Sequence, residues 1–431
     1  MKIRRREFIK HTAAFASITF LPSQVWAGIK ETKLRTAHIG VGGMGGADLK
    51  SIAAHRRVEV AALCDVDSNN LSAAQKSHPG AKVFTDYRKL FDQIGDSIDA
   101  VVVSTPDHTH APASLRAMEM GKPVYCQKPL THHVSEARKM RKIAEDKQLV
   151  TQMGIQIHSW KEYRGTAQLI QSGIIGKVKR VRAWSSKNWG YDGPAPTGND
   201  PVPGNLDWNL WLGTAPQRSY REGFYHPGNW RKLLDYGCGT LGDMGVHIFD
   251  TPYTALDLDV PKTIRTECRK PTGFGHPEKN KVVYKFPGTR FTTRKLKWIW
   301  YDGAGAPEAH KDLQLPGNEK LPDQGAMFIG EKGRLLLPHI AYPKLIVNGK
   351  YEKIDFPQLE EKDHYLQFVD ACLGKDTCSA PFSYASRLTE AILLGVVANR
   401  FPNKKLHWDT GSASFKEKFA NQWLDQPYRN F

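Results

Sequence analysis

The sequence predicts an α/β protein, with a doubly wound parallel sheet in its first part and a largely antiparallel sheet in its second. Between residues 34 and 153, short and continuously apolar runs alternate with helical stretches, which is typical of parallel strands covered by helices on both faces. Beyond Pro261, extended runs alternate polar with apolar residues, which indicates antiparallel strands with one covered face. A chain of 431 residues is also long enough for two domains.

The first 27 residues are predicted to be an export signal. Residues 5–10 read RREFIK, a twin-arginine signature, and an uncharged stretch from Thr12 to Ala27 ends in a small residue suited to cleavage. A basic N-terminal arm followed by a short helix is the alternative. The twin-arginine route carries proteins that are already folded, so we expect a folded protein in the periplasm.

The chain is basic, with a formal net charge of +17. Residues 1–27 contain five Lys or Arg and one Glu, so the remainder still carries about +13. Such a charge suits nucleic acid or an anionic surface, but the Lys and Arg residues are scattered and no nucleic-acid module is recognisable. We therefore expect a solvated basic surface and no nucleic-acid partner. No apolar run reaches the length of about 18 residues that a membrane span needs.

The six cysteines show neither a C-x-x-C pair nor a metal-ligand spacing. We expect most of them to be small buried hydrophobic residues, and we expect no metal site. A disulfide stays open as an alternative, for which Cys372 and Cys378 are nearest in sequence.

A glycine-rich turn follows the first predicted strand. The segment GVGGMGG places Gly40, Gly42 and Gly45 in G-x-G-x-x-G register at the start of a helix. Glycine suits these positions because the turn is tight and the backbone must approach a pyrophosphate closely, with the helix dipole facing the phosphate charge. We predict that Gly40, Gly42, Gly43, Met44 and Gly45 bind a dinucleotide. The alternative is a turn that merely links strand to helix.

The second predicted strand ends at Asp65, twenty residues beyond Gly45. A carboxylate there would accept hydrogen bonds from both ribose hydroxyls of the adenosine half and would repel a 2′-phosphate. Because no Arg follows immediately, NAD is favoured over NADP, although Asp65 as a solvated strand cap is the alternative. We accordingly predict an NAD-binding Rossmann domain at 28–157 and a substrate-binding and oligomerisation domain at 158–431.

Two further strand ends carry polar residues, in STPDHTH and CQKPL. In open parallel sheets the ligand crevice lies outside the carboxyl ends of the strands, so these residues are predicted to line it. Pro129 lacks an amide hydrogen and fixes the backbone that presents the preceding lysine. Each residue taken singly could be an ordinary loop residue. The predicted cofactor contacts here are Thr105, Pro106, Asp107, His110, Gln127 and Lys128.

In combination these motifs resemble the Gfo/Idh/MocA family, and the resemblance runs from Leu34 to the C-terminus. TPDHTH matches the family's T-P-N-x-x-H, QKPL its E-K-P, and GDMGVHIFD its D-x-G-x-H-x-x-D, and SGIIGKV also matches. KWIWYDG and GAMFIGEKGRLLL resemble stretches common among its exported, twin-arginine members. Asp107 stands where the family usually has Asn, and Gln127 where it usually has Glu.

The resemblance implies a Rossmann domain followed by an α/β domain whose open mixed sheet often serves as an oligomer interface. We therefore expect a homo-oligomer, either a dimer or a tetramer. It also implies hydride transfer between a nicotinamide and a carbinol carbon of a sugar, cyclitol or glycoside. An exported enzyme cannot exchange its cofactor with the cytoplasmic pool, so we expect tightly bound NAD that is carried out with the folded chain.

Asp243 and His247 are four residues apart in a segment with helical spacing, which would place both side chains on one face. Removing hydride from a carbinol requires a base for the hydroxyl proton, and a nearby carboxylate can orient an imidazole. By resemblance, His247 is the acid/base, Asp243 binds substrate or orients His247, and Lys128 positions the hydroxyl and lowers its pKa. The alternative for His247 is a buried structural histidine.

The segment from Lys187 to Tyr236 is rich in Gly, Pro, Asn and Trp. Aromatic faces suit the apolar faces of pyranose rings, and a long irregular passage is commonly functional. A loop packed on its own aromatic side chains is the alternative. The predicted substrate contacts are Gln156, Trp189, Tyr225 and His226, together with Lys128, Asp243 and His247.

Three functions stay open from the sequence. The first is an NAD-dependent oxidoreductase acting on a sugar or glycoside. The second is an NAD-dependent glycosidase that works by transient oxidation, elimination, hydration and re-reduction, without the paired carboxylates of conventional glycosidases. The third is a sugar-binding protein with a vestigial nucleotide fold, against which the presence of Lys128, Asp243 and His247 together argues.

Overall fold

A parallel sheet organises the first part of the protein. The computed structural model describes residues 33–303 and 307–431. The strands of this sheet are β1 (Leu34–Ile39), β2 (Val58–Cys64), β3 (Lys82–Phe84), β4 (Ala100–Val103), β5 (Val124–Gln127) and β6 (Thr151–Gly154). They pair in the order β3-β2-β1-β4-β5-β6, and every pair is parallel. The doubly wound sheet predicted from the sequence is confirmed.

Helices connect these strands and cover the sheet. They are α1 (Met44–Ala53), α2 (Ser68–Ser77), α3 (Tyr87–Ile94), α4 (Asp107–Glu119) and α5 (Val134–Asp146), with a 3-10 turn at Gly95–Ser97. Every residue of β4, β5 and β6 is buried, as expected for strands with helices on both faces. Because the strand order reverses between β1 and β4, the carboxyl ends of these two strands flank a crevice, where such sheets bind their ligands.

A second, mixed sheet follows. Its strands in the described residues are β7 (Val178–Ser185), β8 (Thr263–Cys268), β9 (Lys279–Pro287), β10 (Thr292–Gly303), β11 (Gln324–Gly330), β12 (Arg334–Pro338), β13 (Lys344–Val347), β14 (Lys350–Glu352), β15 (Lys405–Asp409) and β16 (Ser414–Phe415). The order is β14-β13-β12-β11-β7-β10-β9-β8-β15-β16. The β7–β10 pair is parallel and the other pairs are antiparallel, which confirms the mixed sheet.

Helices cover one face of this second sheet. The helices of this part are α6 (Lys161–Gln171), α7 (Trp208–Leu212), α8 (Gly239–Asp243), α9 (Gly245–Ala255), α10 (His364–Cys372) and α11 (Phe382–Ala398). Short 3-10 helices lie at Gln156–Ser159, Asn229–Lys232, Lys311–Leu313, Pro316–Asn318 and Lys418–Trp423. The fully buried side chains of Phe249, Trp298 and Trp300 pack between α9 and β10. The α10 residue Phe368 instead packs with Tyr125 of the first sheet.

The structure corrects some of the expectations drawn from the sequence and leaves others untested. The helix expected to carry both Asp243 and His247 is interrupted at Met244, so these residues belong to α8 and α9 respectively. Six strands did not emerge from the sequence patterns, namely β3, β7, β11, β14, β15 and β16. All six cysteines lie in the described ranges and are free thiols. The predicted export signal lies outside the described residues, and the domain boundary at 157/158 stays a prediction.

Over residues 33–303 and 307–431, no helix combines the length and apolarity needed to cross a bilayer. Over the same ranges, no group of three or more His, Cys, Asp or Glu side chains is arranged to hold a metal ion.

Candidate active site

The glycine turn between β1 and α1 leaves no room for side chains at its first and last glycine. A Cβ at Gly40 would lie 2.6 Å from the carbonyl oxygen of Ser104, and Gly40 also has a φ of +82°. A Cβ at Gly45 would lie 2.1 Å from the carbonyl oxygen of Gly40. Both distances are too short for any other residue, so the backbone contacts that shape this turn require glycine.

The two middle glycines of the turn, Gly42 and Gly43, differ in the space available beside them. A Cβ at Gly42 would lie 2.3 Å from the side-chain nitrogen of Asn70, whereas one at Gly43 would meet nothing within 4 Å. The first residue of α1, Met44, is also largely exposed. The start of α1 is therefore an open backbone surface with a helix N-terminus behind it, which suits a pyrophosphate group.

Asp65 directly follows β2, where the sequence predicts the ribose-binding carboxylate. Its Oδ2 accepts a hydrogen bond from the Val41 amide at 2.9 Å, and its Oδ1 accepts one from the Asp67 amide at 2.9 Å. Burial raises the pKa of Asp65, and these two backbone hydrogen bonds oppose that rise. The carboxylate is thus held in one orientation beside the glycine turn.

The turn after β4 brings Thr105, Pro106 and Asp107 to the same edge. Asp107 is the first residue of α4, is buried, and accepts a hydrogen bond from the Cys238 amide at 3.1 Å. Burial raises the pKa of Asp107 to about 7, opposed by the nearby cations Arg231 and Lys128. The Thr105 hydroxyl donates to the Pro106 carbonyl at 3.2 Å.

His110 lies behind this turn. Its Nδ1 lies 2.8 Å from the Pro129 carbonyl oxygen, and its Nε2 lies 2.8 Å from the Thr105 carbonyl oxygen. Both ring nitrogens are therefore occupied by backbone groups. These contacts make His110 a link between the strand ends of β4 and β5, so it shapes the predicted crevice and presents no free nitrogen to it.

The buried carboxylate of Asp48 was missed from the sequence. It is fully buried on α1, and it accepts hydrogen bonds from Ser104 Oγ at 2.6 Å and from Gln127 Nε2 at 2.9 Å. Gln127 Oε1 in turn accepts from the Lys128 amide at 3.1 Å. A carboxylate thus does lie behind Lys128, supplied by α1 instead of by position 127. A charged residue on the buried face of α1 is the signal that could have revealed it.

Lys128 and Asp243 form a buried ion pair at this edge. Lys128 Nζ donates to Asp243 Oδ1 at 2.8 Å and to the Asp243 carbonyl oxygen at 3.1 Å. Arg231 Nε approaches the same carboxylate oxygen at 3.4 Å. Burial opposes ionisation, but the two cations hold the pKa of Asp243 well below its usual range. Asp243 therefore positions Lys128, whereas the family resemblance implies that it binds substrate or orients His247.

His247 lies on the next helix, close to this ion pair. Its Nδ1 is buried without a hydrogen-bond partner among the described residues. Burial, followed by the charge of Lys128, lowers the pKa of His247 well below its ordinary value. An unpartnered polar atom in a buried position costs stability, so this nitrogen is an exception among buried polar groups. For the alternative of a buried structural histidine bonded to a backbone carbonyl, Nδ1 provides no such bond among the described residues.

A second imidazole, His339, faces His247 at a ring-centroid distance of 5.7 Å. Its Nδ1 lies 3.0 Å from the Tyr163 hydroxyl, which accepts a hydrogen bond from the Ile340 amide at 2.7 Å. Burial, with Lys187 and Lys128, lowers the pKa of His339 to about 4, so the ring is neutral. Donation from the Tyr163 hydroxyl to Nδ1 is the arrangement that uses the hydroxyl hydrogen, and it puts the ring hydrogen on Nε2. No local pattern in the sequence revealed His339.

The last aspartate of the GDMGVHIFD motif also has a buried partner. Asp250 Oδ1 lies 2.8 Å from His158 Nδ1 and accepts from the Tyr384 hydroxyl at 2.6 Å. Although burial disfavours the imidazolium, the Asp250 carboxylate raises the pKa of His158. The motif by itself predicts no role for Asp250, and these contacts are visible only in the fold.

We call residues 187–236 the aromatic insert. Two of the predicted substrate contacts, Tyr225 and His226, belong to it, and their partners are other than Lys128, Asp243 and His247. Tyr225 is buried among the insert's own aromatic rings, 5.2 Å from Trp208 and 5.7 Å from Tyr236. His226 Nε2 lies 3.1 Å from Asp67 Oδ2, near the end of β2. For Tyr225, this is the arrangement expected of a loop packed on its own aromatic side chains.

The other two predicted substrate contacts lie in different surroundings. Trp189 has an Nε1 that is buried without a partner among the described residues, and its ring lies 5.5 Å from the guanidinium of Arg231. Gln156 Nε2 donates to the Tyr365 hydroxyl at 3.0 Å. Trp189 is thus next to the residue that contacts Asp243, whereas Gln156 belongs to the tyrosine cluster around Asp48.

Family models match nearly the whole described chain. The model for the NAD-binding Rossmann fold of the Gfo/Idh/MocA oxidoreductases matches residues 34–155, and that for their C-terminal α/β domain matches residues 161–431. Similar curated proteins match over shorter stretches. An inositol 2-dehydrogenase of Rubrobacter xylanophilus is 34% identical over 153 residues, which is 34% of this chain and 42% of that protein.

A glycosyl hydrolase family 109 protein of Stenotrophomonas maltophilia is 35% identical over 137 residues, 29% of each chain. The chain thus spans less than half the length of these curated relatives. Among solved structures, the WlbA dehydrogenase of Bordetella pertussis in complex with NADH and UDP-GlcNAcA has a TM-score of 0.60 at 15% identity. That match covers 88% of this chain and 99% of the other, and it shows a shared fold.

Proposed function

Because the chain belongs to the Gfo/Idh/MocA family of oxidoreductases, we propose that it transfers hydride between NAD and a CH–OH group of a sugar, cyclitol or glycoside. The observation that carries this proposal is the buried Lys128–Asp243 pair beside His247, at the carboxyl edge of the sheet that bears the glycine turn. Support for the substrate class comes from the inositol dehydrogenase relative and from the sugar nucleotide in the WlbA complex.

The residues at the edge fit a dinucleotide. The open backbone at Gly43 would receive the pyrophosphate, and Asp65 would receive a ribose hydroxyl. A fixed carboxylate at that point favours NAD over NADP. When bound, NAD supplies the position that accepts or returns the hydride. We further propose that it is bound tightly, because the predicted export of the folded chain separates it from the cytoplasmic cofactor pool.

Three side chains of the chain would act on the substrate, namely His247, Lys128 and His339. His247 is neutral because its pKa is lowered, so its imidazole is able to accept the proton of the substrate hydroxyl. The Lys128 ammonium, fixed by Asp243, stabilises the negative charge that develops on that oxygen. His339 presents an Nε2–H donor on the neighbouring ring, which suits a further hydroxyl of the same molecule.

Mass spectrometry of the nucleotide released from purified protein tests the cofactor, and turnover of a polyol panel that includes myo-inositol tests the reaction. We expect NAD in the released fraction and reduction of the bound nicotinamide by at least one polyol. His247→Ala should abolish that reduction and retain the nucleotide, whereas His407→Ala, a histidine paired with Glu417, should behave as the wild type. Unchanged turnover in His247→Ala would refute the assignment.

A redox-neutral glycosidase is a second candidate, supported by the family 109 relative. In this reaction a ring hydroxyl is oxidised, the adjacent C–H is lost as the aglycone leaves, water adds, and the hydride returns to the sugar. Release of p-nitrophenol from aryl glycosides without any added acceptor favours it. A ketosugar that accumulates only when an acceptor is supplied favours the dehydrogenase.

Two features of the biological setting remain proposals. We propose a periplasmic location, supported by the RREFIK segment of the leader. We also propose a homo-oligomer that associates through the open face of the second sheet, with no nucleic-acid partner. Fractionation of cells that express a tagged chain tests the first proposal, and light scattering of the purified protein tests the second.

A further inference from the structure

We propose that the aromatic insert completes the adenosine half of the cofactor site: Asn205 and His226 fix Asp67, and Asp67 fixes the NAD-selecting Asp65. The inference rests on the proposed function, because it takes NAD as the occupant of the strand edge. It gives His226 a positioning role, in place of the substrate contact expected from the sequence.

Side chains of the insert donate hydrogen bonds to both oxygens of the Asp67 carboxylate. Asn205 Nδ2 donates to Asp67 Oδ1 at 2.8 Å, and His226 Nε2 donates to Asp67 Oδ2 at 3.1 Å. Oδ1 also accepts the Asn69 amide at 2.9 Å and so caps the start of α2. Asp67 is only 6% exposed, and a carboxylate so buried needs donors on both oxygens. The insert supplies one donor to each.

Backbone pairing holds the insert in place beside this carboxylate. The Ser68 amide donates to the Asn205 carbonyl at 2.8 Å, and the Asp207 amide donates to the Val66 carbonyl at 2.9 Å. These bonds form an antiparallel bridge between Asp67 and Leu206. The buried side chain of Leu206 belongs to the insert's aromatic core, so that core anchors the bridge.

Asp67 transmits this anchoring to the ribose-binding carboxylate. Its amide donates to Asp65 Oδ1, while the Val41 amide donates to Oδ2, both at 2.9 Å. The Asn70 side chain also donates to the Asp65 carboxylate, so of its four acceptor positions one stays available for a ribose hydroxyl. Burial disfavours the ionised form of Asp67, yet the hydrogen bonds from Asn205 and His226 lower the pKa of this carboxyl group. A second carboxylate fixed beside Asp65 would add to the repulsion of a 2′-phosphate, which strengthens discrimination against NADP.

The insert also contacts the segment that follows β4, two strands away from β2 in the sheet. The His108 amide donates to the Tyr236 carbonyl at 3.2 Å, and His108 Nε2 lies 3.0 Å from the Trp211 carbonyl oxygen. The insert therefore spans from the segment after β2 to the first turn of α4. Contacts after both β2 and β4 limit how far the adenosine-side contacts can relax.

Half-molecules of the cofactor separate this role from general stability. We would measure binding of NAD, NADP, ADP-ribose and nicotinamide mononucleotide by calorimetry, using folded protein freed of nucleotide. In His226→Ala and Asn205→Ala, the Kd for NAD and ADP-ribose should rise about tenfold, because fixing charged hydrogen-bonding groups is worth that much. The Kd for nicotinamide mononucleotide should change less than about twofold, and the preference for NAD over NADP should fall.

Two controls sharpen the result. His226→Gln places an amide donor near the position of Nε2, so it should recover most of the affinity lost in His226→Ala. Asn199→Ala removes an exposed side chain of the same insert and should bind all four probes as the wild type does. Near-ultraviolet circular dichroism of each variant checks that the fold is retained.

The outcomes distinguish this inference from the function on which it rests. Equal weakening of all four probes would show that the insert merely supports the fold of the strand edge, which overturns the inference. Unchanged NAD binding in both alanine variants would overturn it as well. A wild-type protein that binds none of the four probes would instead overturn the proposed function, and the inference with it.

Discussion

Replacing Asp243 with Asn tests whether the Lys128–Asp243 pair carries both stability and chemistry. The substitution keeps the size of the side chain but removes the charge that lies 2.8 Å from Lys128 Nζ. It leaves two cations, Lys128 and Arg231, without the carboxylate that they share. An uncompensated charge in a buried site is costly, so the variant should be less stable and inactive.

The magnitude follows from how deeply the pair is buried. Removing one partner of a fully buried ion pair costs about 3–5 kcal/mol. The two side chains here keep 14% and 11% exposure, and Lys128 retains the carbonyl oxygen of residue 243. We therefore expect a loss near the lower end, about 3 kcal/mol in the free energy of unfolding. Urea unfolding at pH 7 with saturating NAD measures it.

The pH dependence of the stability loss distinguishes a charge effect from a packing effect, because a packing effect would not vary with pH. The pKa of Asp243 is lowered in the fold, so its stabilisation is fully present above the unfolded value of about 3.9 and is lost as pH falls further. The difference between wild type and Asp243→Asn should stay constant from pH 6 to 8 and shrink below about pH 4. A loss under about 1 kcal/mol at pH 7, or one that persists at acid pH, would refute the reasoning.

Three further substitutions test other parts of the account. Gly45→Ala places a Cβ 2.1 Å from the Gly40 carbonyl oxygen, so NAD affinity should fall more than about tenfold in a titration, with the carbohydrate site unaffected. Asp107 has a pKa raised to about 7, so the native state binds the extra proton and the wild type loses stability as pH rises from about 4 to 7. Asp107→Asn should therefore melt higher than wild type at pH 8, with the gain fading towards pH 4, and a gain independent of pH would contradict this. Tyr163→Phe removes the hydroxyl between His339 and its neighbouring amide and should cost about 1 kcal/mol in urea unfolding, with no loss of bound nucleotide.

The fold was predictable where local patterns determine it. Fully buried strands such as β4 show as apolar runs, and the register of Gly40 and Gly45 is fixed by backbone clashes that exclude other residues. Strand β7 was missed, because its sequence VKRVRAWS places charged side chains between buried ones and lies in the middle of the second sheet. Its identity depends on pairing with β10 and β11, which are distant in sequence.

The candidate site was predictable to a smaller extent. Lys128, Asp243 and His247 came from motifs, and the structure does gather them. The pairing of Asp243 with Lys128 depends on a contact between residues 115 positions apart, which no local spacing encodes. For the same reason His339 escaped notice, since it meets His247 through the second sheet.

The account's central claim is that NAD lies across the carboxyl edge of the parallel sheet, with its nicotinamide facing His247. A crystal structure of the protein with NAD tests this most directly. We predict electron density for the pyrophosphate over Gly43, for the adenosine ribose at Asp65, and for the nicotinamide between Lys128 and the His247 ring. Density for the dinucleotide at another surface, or a nicotinamide that points away from His247, would contradict the account.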